Sequence, residues 1–212
     1  MKRLPGIVWL GIVGVLLASL AGCFGKPPPV QSYLRVRLAQ GPCQGESLQR
    51  LPLGFKALKA FENLDNTAVL TARGQVLTPS LQYYWEGPPQ DMVGQLVRQA
   101  IECQSTQFTP VDYQPRVDHA GLLTGTVNAF NVEETEGGRF VVGVHLDLWT
   151  KNGKSKVATG DFNAYAPMED FKPETVAKAA SEAMGRVVPK ILPWLDSNRA
   201  VLEKNNQVQQ HQ

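Results

Sequence analysis

Residues 139–150 read RFVVGVHLDLWT, and this stretch decides the fold. Its apolar face carries Phe140, Val142, Val144, Leu146 and Leu148. The opposite face carries Val141, Gly143, His145, Asp147 and Trp149. This alternation, sustained over the whole stretch, predicts a β-strand that packs one side against a core.

Turn signals flank this strand on both sides. Residues 134–138 form a polar, glycine-rich segment before it, and Asn152-Gly153 follows it. Asn-Gly is the strongest short hairpin signal, because both positions tolerate a positive φ. Residues 121–133 and 157–166 also have the character of strands. The middle of the chain therefore predicts a three-stranded antiparallel meander.

Two amphipathic helices accompany the strands. Apolar residues recur at helical spacing in 91–102 and again in 173–187, and prolines mark both starts. Pro189 and Pro193 are expected to kink or end the second helix. Further strands are predicted at 31–38, 51–61, 68–72 and 75–78, the last two joined at Arg73-Gly74. We expect an α+β fold, a mainly antiparallel sheet with two amphipathic helices packed on one face.

The N-terminus has the order of a lipoprotein signal. Lys2 and Arg3 precede an apolar run that ends at Leu20-Ala21-Gly22-Cys23. Small residues before a cysteine resemble the bacterial lipobox, which predicts a signal peptide over 1–22 and lipidation of Cys23. Residues 23–30 would form a proline-rich spacer. Because Phe24 is not an aspartate, the enterobacterial sorting rule favours the outer membrane, with the domain facing the periplasm.

The predicted domain covers residues 31–195, enough chain for one core. From Asp196 onward the chain is mostly polar, and 196–212 is expected to be a frayed or disordered tail. Loss of Lys2 and Arg3 with the signal reduces the 21 basic residues to 19, equal to the 19 acidic residues. This balance gives no reason to expect nucleic acid as a partner.

Two cysteines, Cys43 and Cys103, remain in the mature chain besides Cys23. An oxidising periplasm favours a disulfide between them, and two buried free thiols are the alternative. The histidines have no paired ligand spacing with these cysteines, so neither a metal nor a cofactor is expected.

No familiar catalytic motif occurs in the chain, which argues against an enzyme. His145 and Asp147 lie two residues apart on one strand face. They are interpreted as part of a polar outer face, and a hydrolase site is the alternative.

Aromatic residues form two groups whose role the sequence leaves open. Tyr83, Tyr84 and Trp85 precede the first helix, and Trp149 lies on the less apolar strand face. They are candidates for contact with a partner or a lipid. Core packing is the favoured interpretation of both groups, because aromatic side chains are highly buried on average, and contact with a partner or a lipid is the alternative.

Several features together resemble a known family. They are the lipobox with its proline-rich spacer, the opening strand from Ser32, and the run from Arg73-Gly74 through Tyr83-Tyr84-Trp85 to Pro88-Pro89 and the first helix. These are similar to the ABC-type transport auxiliary lipoproteins, which include paraquat-inducible protein C. The resemblance covers roughly residues 30–195.

The resemblance implies a role in transport without catalysis. Such lipoproteins accompany an ABC permease and ATPase and a protein with mammalian-cell-entry (MCE) domains, which move phospholipids between the two membranes. An outer-membrane assembly lipoprotein with a β-barrel partner, or a periplasmic hydrolase, are the alternatives. Homo-oligomerisation stays open.

Overall fold

Nine strands and three helices lie within the part of the chain that the structure, a computed structural model, describes: residues 30–39, 43, 50–61, 64, 66–135 and 137–210. The predicted signal peptide and Cys23 lie outside these residues. The strands are β1 Ser32–Leu34, β2 Leu51–Phe55, β3 Lys59–Ala60, β4 Ala68–Arg73, β5 Val76–Trp85, β6 Phe108–Asp112, β7 Gly121–Glu133, β8 Arg139–Thr150 and β9 Lys156–Pro167. The helices are α1 Pro89–Gln104, α2 Pro173–Ser197 and α3 Arg199–Gln210.

Strand β7 is the centre of the sheet. One of its edges pairs with β8, from Gly121 opposite Thr150 to Glu133 opposite Arg139. Its other edge is divided among three short strands, β2 near its start, β3 at its middle and β4 near its end. The sheet thus has two wings on that edge: β6 extends it beyond β2, and β5 and β1 extend it beyond β4.

The sheet is mixed, which corrects the expectation of a mainly antiparallel one. Antiparallel pairing joins β4 to β5 and connects β7, β8 and β9, as the meander predicted. All pairings of β1, β2 and β3, and that between β4 and β7, are parallel. Period-two patterns reveal which face of a strand is buried but not its neighbour or direction, so the sequence could not show this.

The two strongest turn signals are confirmed. Gly153 follows Asn152 with φ of +67°, and Gly74 follows Arg73 with φ of +61°. Both glycines take the left-handed backbone conformation that side chains with a Cβ disfavour.

The core lies between one face of the sheet and the helices. The alternating residues of β8 predicted to be apolar are all buried. Trp85 is fully buried and packs edge-on against Phe130 and Phe140, at centroid distances of 5.0 and 5.6 Å. Trp194 of α2 packs against Phe162 of β9 at 5.3 Å. The α+β class is therefore confirmed.

Helix α2 continues through both of its internal prolines, which were expected to kink or end it, so they do not end it. Pro189 and Pro193 are exposed, whereas Ile191, Leu192 and Leu195 are buried. Each proline removes one helical hydrogen bond, and the burial of the neighbouring apolar residues offsets that cost.

A third helix replaces the disordered tail expected from residue 196. Helix α3 turns its single fully buried leucine, Leu202, onto the start of β7, beside Gly121. A Cβ at Gly121 would lie only 2.7 Å from the Leu202 side chain, so the missing side chain makes room for the helix. One apolar anchor in a polar sequence is too weak a pattern to indicate docking.

A disulfide joins Cys43 to Cys103, as the compartment argument predicted. It ties the chain ahead of β2 to the end of α1, across 60 residues of sequence. Among the residues described, none of the helices has the length and apolar character that crossing a membrane requires.

We expect Leu202→Ala to lower the free energy of unfolding by about 2–4 kcal/mol, because it removes a fully buried side chain. Val201→Ala is the matched control, since Val201 is 45% exposed on the same helix and should change little. Urea denaturation gives both values. Equal effects of the two substitutions would contradict the docking of α3.

Reduction of the disulfide should lower the free energy of unfolding by about 4 kcal/mol. The crosslink closes a loop of 60 residues and so reduces the conformational entropy of the unfolded chain, and reduction removes this restriction. Urea denaturation with and without reductant measures the change. The Cys43→Ala/Cys103→Ala double variant should have the same stability as the wild-type protein in reductant, and adding reductant to the variant should change nothing. A urea midpoint of the wild-type protein that is the same with and without reductant would refute the prediction.

Candidate functional site

The face of the meander opposite the helices carries a cluster of polar side chains, here called the outer-face cluster. Cross-strand register brings it together from β7, β8 and β9. His145 lies between Thr126 and Asp161, and Asp147 lies between Thr124 and Thr159. The members of the cluster are Thr124, Thr126, His145, Asp147, Trp149, Lys156, Thr159 and Asp161.

His145 lies between two carboxylates. Its Nδ1 is 2.7 Å from Asp161 Oδ1, and its Nε2 is 3.5 Å from Asp147 Oδ1. The side chains of His145 and Asp147 are therefore neighbours, as their positions on one strand face predicted. Asp161 is a further partner that the sequence interpretation missed, because sixteen residues and a strand pairing separate it from His145.

Asp147 is the best-connected acid of the cluster. Thr159 Oγ1 donates a hydrogen bond to its Oδ1 at 2.7 Å, and Lys156 Nζ lies 2.9 Å from the same oxygen. Partial burial alone would raise the pKa of Asp147. The hydrogen bonds from Thr159 and Lys156 outweigh burial, so the pKa lies below its ordinary value of 3.8.

Trp149 is held in place by two contacts. Its Nε1 donates a hydrogen bond to Thr124 Oγ1 at 3.0 Å, and Lys156 Nζ lies 5.1 Å from its ring centroid. Such a geometry is that of a cation–π contact. The ring is half-buried and borders a cavity of about 330 Å³, which Lys56 and Lys59 also line. The cavity thus combines an aromatic wall with cationic and anionic groups.

This arrangement is suited to binding and does not assemble a nucleophile with a base. A hydrolytic triad needs a hydroxyl or thiol at the histidine nitrogen that its acid leaves free. Here the second nitrogen of His145 faces Asp147, and the Thr159 hydroxyl already donates to that carboxylate. Among the described residues, no group of three or more His, Cys, Asp or Glu side chains is placed to hold a metal ion.

The aromatic residues before α1 do not act together. Trp85 is fully buried, so it packs in the core, as the favoured interpretation of the aromatic cluster predicted, and it presents no surface to a partner or a lipid. Tyr83 and Tyr84 are half-buried. Tyr84 packs against Tyr33 at 5.9 Å, and Tyr83 against Phe171 at 5.4 Å.

Both of these neighbours are themselves exposed, Tyr33 at 70% and Phe171 at 42%. Neither was a candidate from sequence, because neither adjoins another aromatic residue in the chain. Tyr33 reaches Tyr84 because β1 pairs with β5, and Phe171 reaches Tyr83 because the segment before α2 packs beside β5.

The fold is shared with two solved structures. Protein XCC0632 from Xanthomonas campestris, which carries the family-model name DUF330, superposes with a TM-score of 0.69 at 15% identity, covering 79% of this chain and 95% of that one. An uncharacterized protein superposes with a TM-score of 0.63 at 12% identity, covering 78% and 99%. At these identities the likeness concerns the fold alone. No family model matches the sequence, and neither does any curated protein.

Asp147→Asn should lower the free energy of unfolding by about 1–2 kcal/mol at neutral pH, because it weakens charge-assisted hydrogen bonds. A lowered folded-state pKa contributes stability above the unfolded pKa, and this contribution is lost as pH falls through the folded value. The difference in free energy of unfolding between the variant and the wild type should therefore have its full value at about pH 7 and at about pH 5. It should become smaller as the pH falls below 3.8.

Urea denaturation at several pH values tests this prediction. Asp118→Asn is the control, because Asp118 forms an ion pair with Lys151 at an exposed site and should leave the curves nearly unchanged. A difference for Asp147→Asn that persists undiminished at low pH would contradict the assigned role of its charge.

Proposed function

We propose that this protein is a non-enzymatic lipoprotein, anchored through Cys23 on the extracytoplasmic side of a membrane, that serves an MCE-type ABC lipid transport system. The lipobox supports the anchor, and the Cys43–Cys103 disulfide fits an oxidising compartment. The resemblance of residues 73–104 to the transport auxiliary lipoproteins supports the particular system.

The observation that carries the proposal is the outer-face cluster. Its side chains satisfy one another, hold an aromatic ring half-exposed and leave a cavity open, which is an arrangement for recognition. A catalyst would instead need a nucleophile poised for attack. A tethered domain with such a face is suited to docking another component.

The proposed partner is the MCE-domain protein, with the permease and ATPase as the remaining components. Mixed charge suits a protein partner better than nucleic acid, because lysines and aspartates alternate across the face. We place the anchor in the outer membrane, since Phe24 occupies the position at which an aspartate would retain a lipoprotein at the inner membrane. Phospholipid is the proposed cargo of the system.

Photo-crosslinking in intact cells tests the docking face. The substitution Tyr165→p-benzoylphenylalanine places a crosslinker on the outer face, where Tyr165 is 54% exposed and lies opposite Val141. Lys178→p-benzoylphenylalanine is the control on the exposed side of α2. We expect mass spectrometry to identify an MCE-domain protein among the adducts at position 165 and not at 178.

Affinity purification from the same cells should recover the permease and ATPase with the MCE-domain protein. Recovery of a β-barrel protein alone would replace the transport proposal with the assembly alternative. Recovery of neither kind of protein would refute both.

A further inference from the structure

The β4–β5 hairpin exposes apolar side chains that neither the helices nor the rest of the sheet covers. Val76 is 64% exposed, Leu77 37% and Leu81 77%. Val76 and Leu77 are adjacent on one strand, so they point to opposite faces, and both faces near the turn are apolar. From Gly74 to Gln82 the hairpin contains no charged residue.

The outer edge of β5 is also partly free. Strand β1 pairs only with Tyr83 to Trp85, and β4 occupies the other edge. Along 76–82 no described strand pairs with the outer edge. An apolar, uncharged hairpin with an open edge is a surface that soluble proteins usually avoid, so it indicates a contact.

The path of the chain suggests which surface this hairpin faces. Strand β1 runs parallel to β5, with Ser32 opposite Tyr83. The chain therefore enters β1 from the end of the sheet at which the β4–β5 turn lies. The hairpin extends roughly 17 Å toward that end, the length of β4 from Ala68, opposite Tyr84, to Arg73, opposite Val76, because β5 bulges between Pro79 and Tyr84.

The tether is short enough for this extension to matter. Cys23 precedes Ser32 by nine residues, which span roughly 30 Å at full extension. The membrane that holds a lipidated Cys23 would therefore lie within about 30 Å of Ser32, and the hairpin spans about half of that distance on the side from which the chain enters β1. A tether extended to about half of its maximum would place the turn at the polar layer of the leaflet, which is roughly 5–8 Å thick.

The remaining groups at this end suit a neutral lipid surface. Phe171 lies beside a cavity of about 490 Å³ that Val76 and Pro79 also line. The Arg73 guanidinium pairs with Glu134 at 2.6 Å, and Lys172 pairs with Asp170. Paired charges leave apolar contact as the main attraction, which favours zwitterionic over anionic lipid.

We propose that the hairpin tip, with Val76, Leu77, Leu81 and Phe171, rests in the headgroup layer of the membrane that holds Cys23. This contact would fix the orientation of the domain relative to the bilayer. The proposal rests on the lipid anchor of the proposed function and not on the MCE partner. A second copy of the chain at the open strand edge is the competing occupant.

The test uses the full lipoprotein in cells, with p-benzoylphenylalanine replacing Val76 or Leu81. Val201→p-benzoylphenylalanine is the matched control, because Val201 is an exposed valine on α3, at the end of β7 opposite the hairpin. We expect phospholipid adducts at positions 76 and 81 and none at 201. Labelling with a palmitate analogue, lost in Cys23→Ala, reports the anchor separately.

The outcomes separate the two proposals. A labelled Cys23 without lipid adducts at the hairpin would overturn the membrane contact and leave the anchor in place. Adducts between two copies of the chain at position 76 or 81 would overturn it in favour of self-association. An unlabelled Cys23 would overturn the anchor and the membrane contact together.

Discussion

The pairing of both edges of β7 is the constraint on which the rest of the structure depends. One edge is matched to β8 along its whole length, and the other is shared by β2, β3 and β4 in turn. None of these three pairs with β7 over more than three residues, so none would hold its position without a long common partner. Among the described strands, β7 is the one that pairs with both wings of the sheet.

Helix α1 connects the wings a second time. It follows β5 of one wing, which ends at Trp85, and precedes β6 of the other wing. Trp85 fixes its start in the core, and the disulfide at Cys103 fixes its end to the chain ahead of β2. The run from the hairpin to the helix is therefore a structural joint, which explains why its most prominent aromatic residue is buried.

The two surfaces argued to have functions lie on different parts of this frame. The outer-face cluster sits on the meander, where long strands hold His145, Asp147 and Trp149 in fixed register. The hairpin lies at the end of the sheet where the tether enters. A domain bound to lipid through one surface keeps the other accessible, so the proposed anchor and the proposed docking face are compatible.

The sequence by itself determined the elements whose signal is local. The alternation in residues 139–150, the Asn152-Gly153 turn and the spacing of α1 each depend on neighbours within a few residues, and each was predicted. The disulfide likewise followed from two cysteines in an oxidising compartment. Tertiary structure decided the parallel pairings, the continuation of α2 through its prolines, the helix at 199–210 and the meeting of Asp161 with His145. These depend on which distant segment packs alongside, and a side-chain pattern records burial but not the identity of the neighbour that provides it.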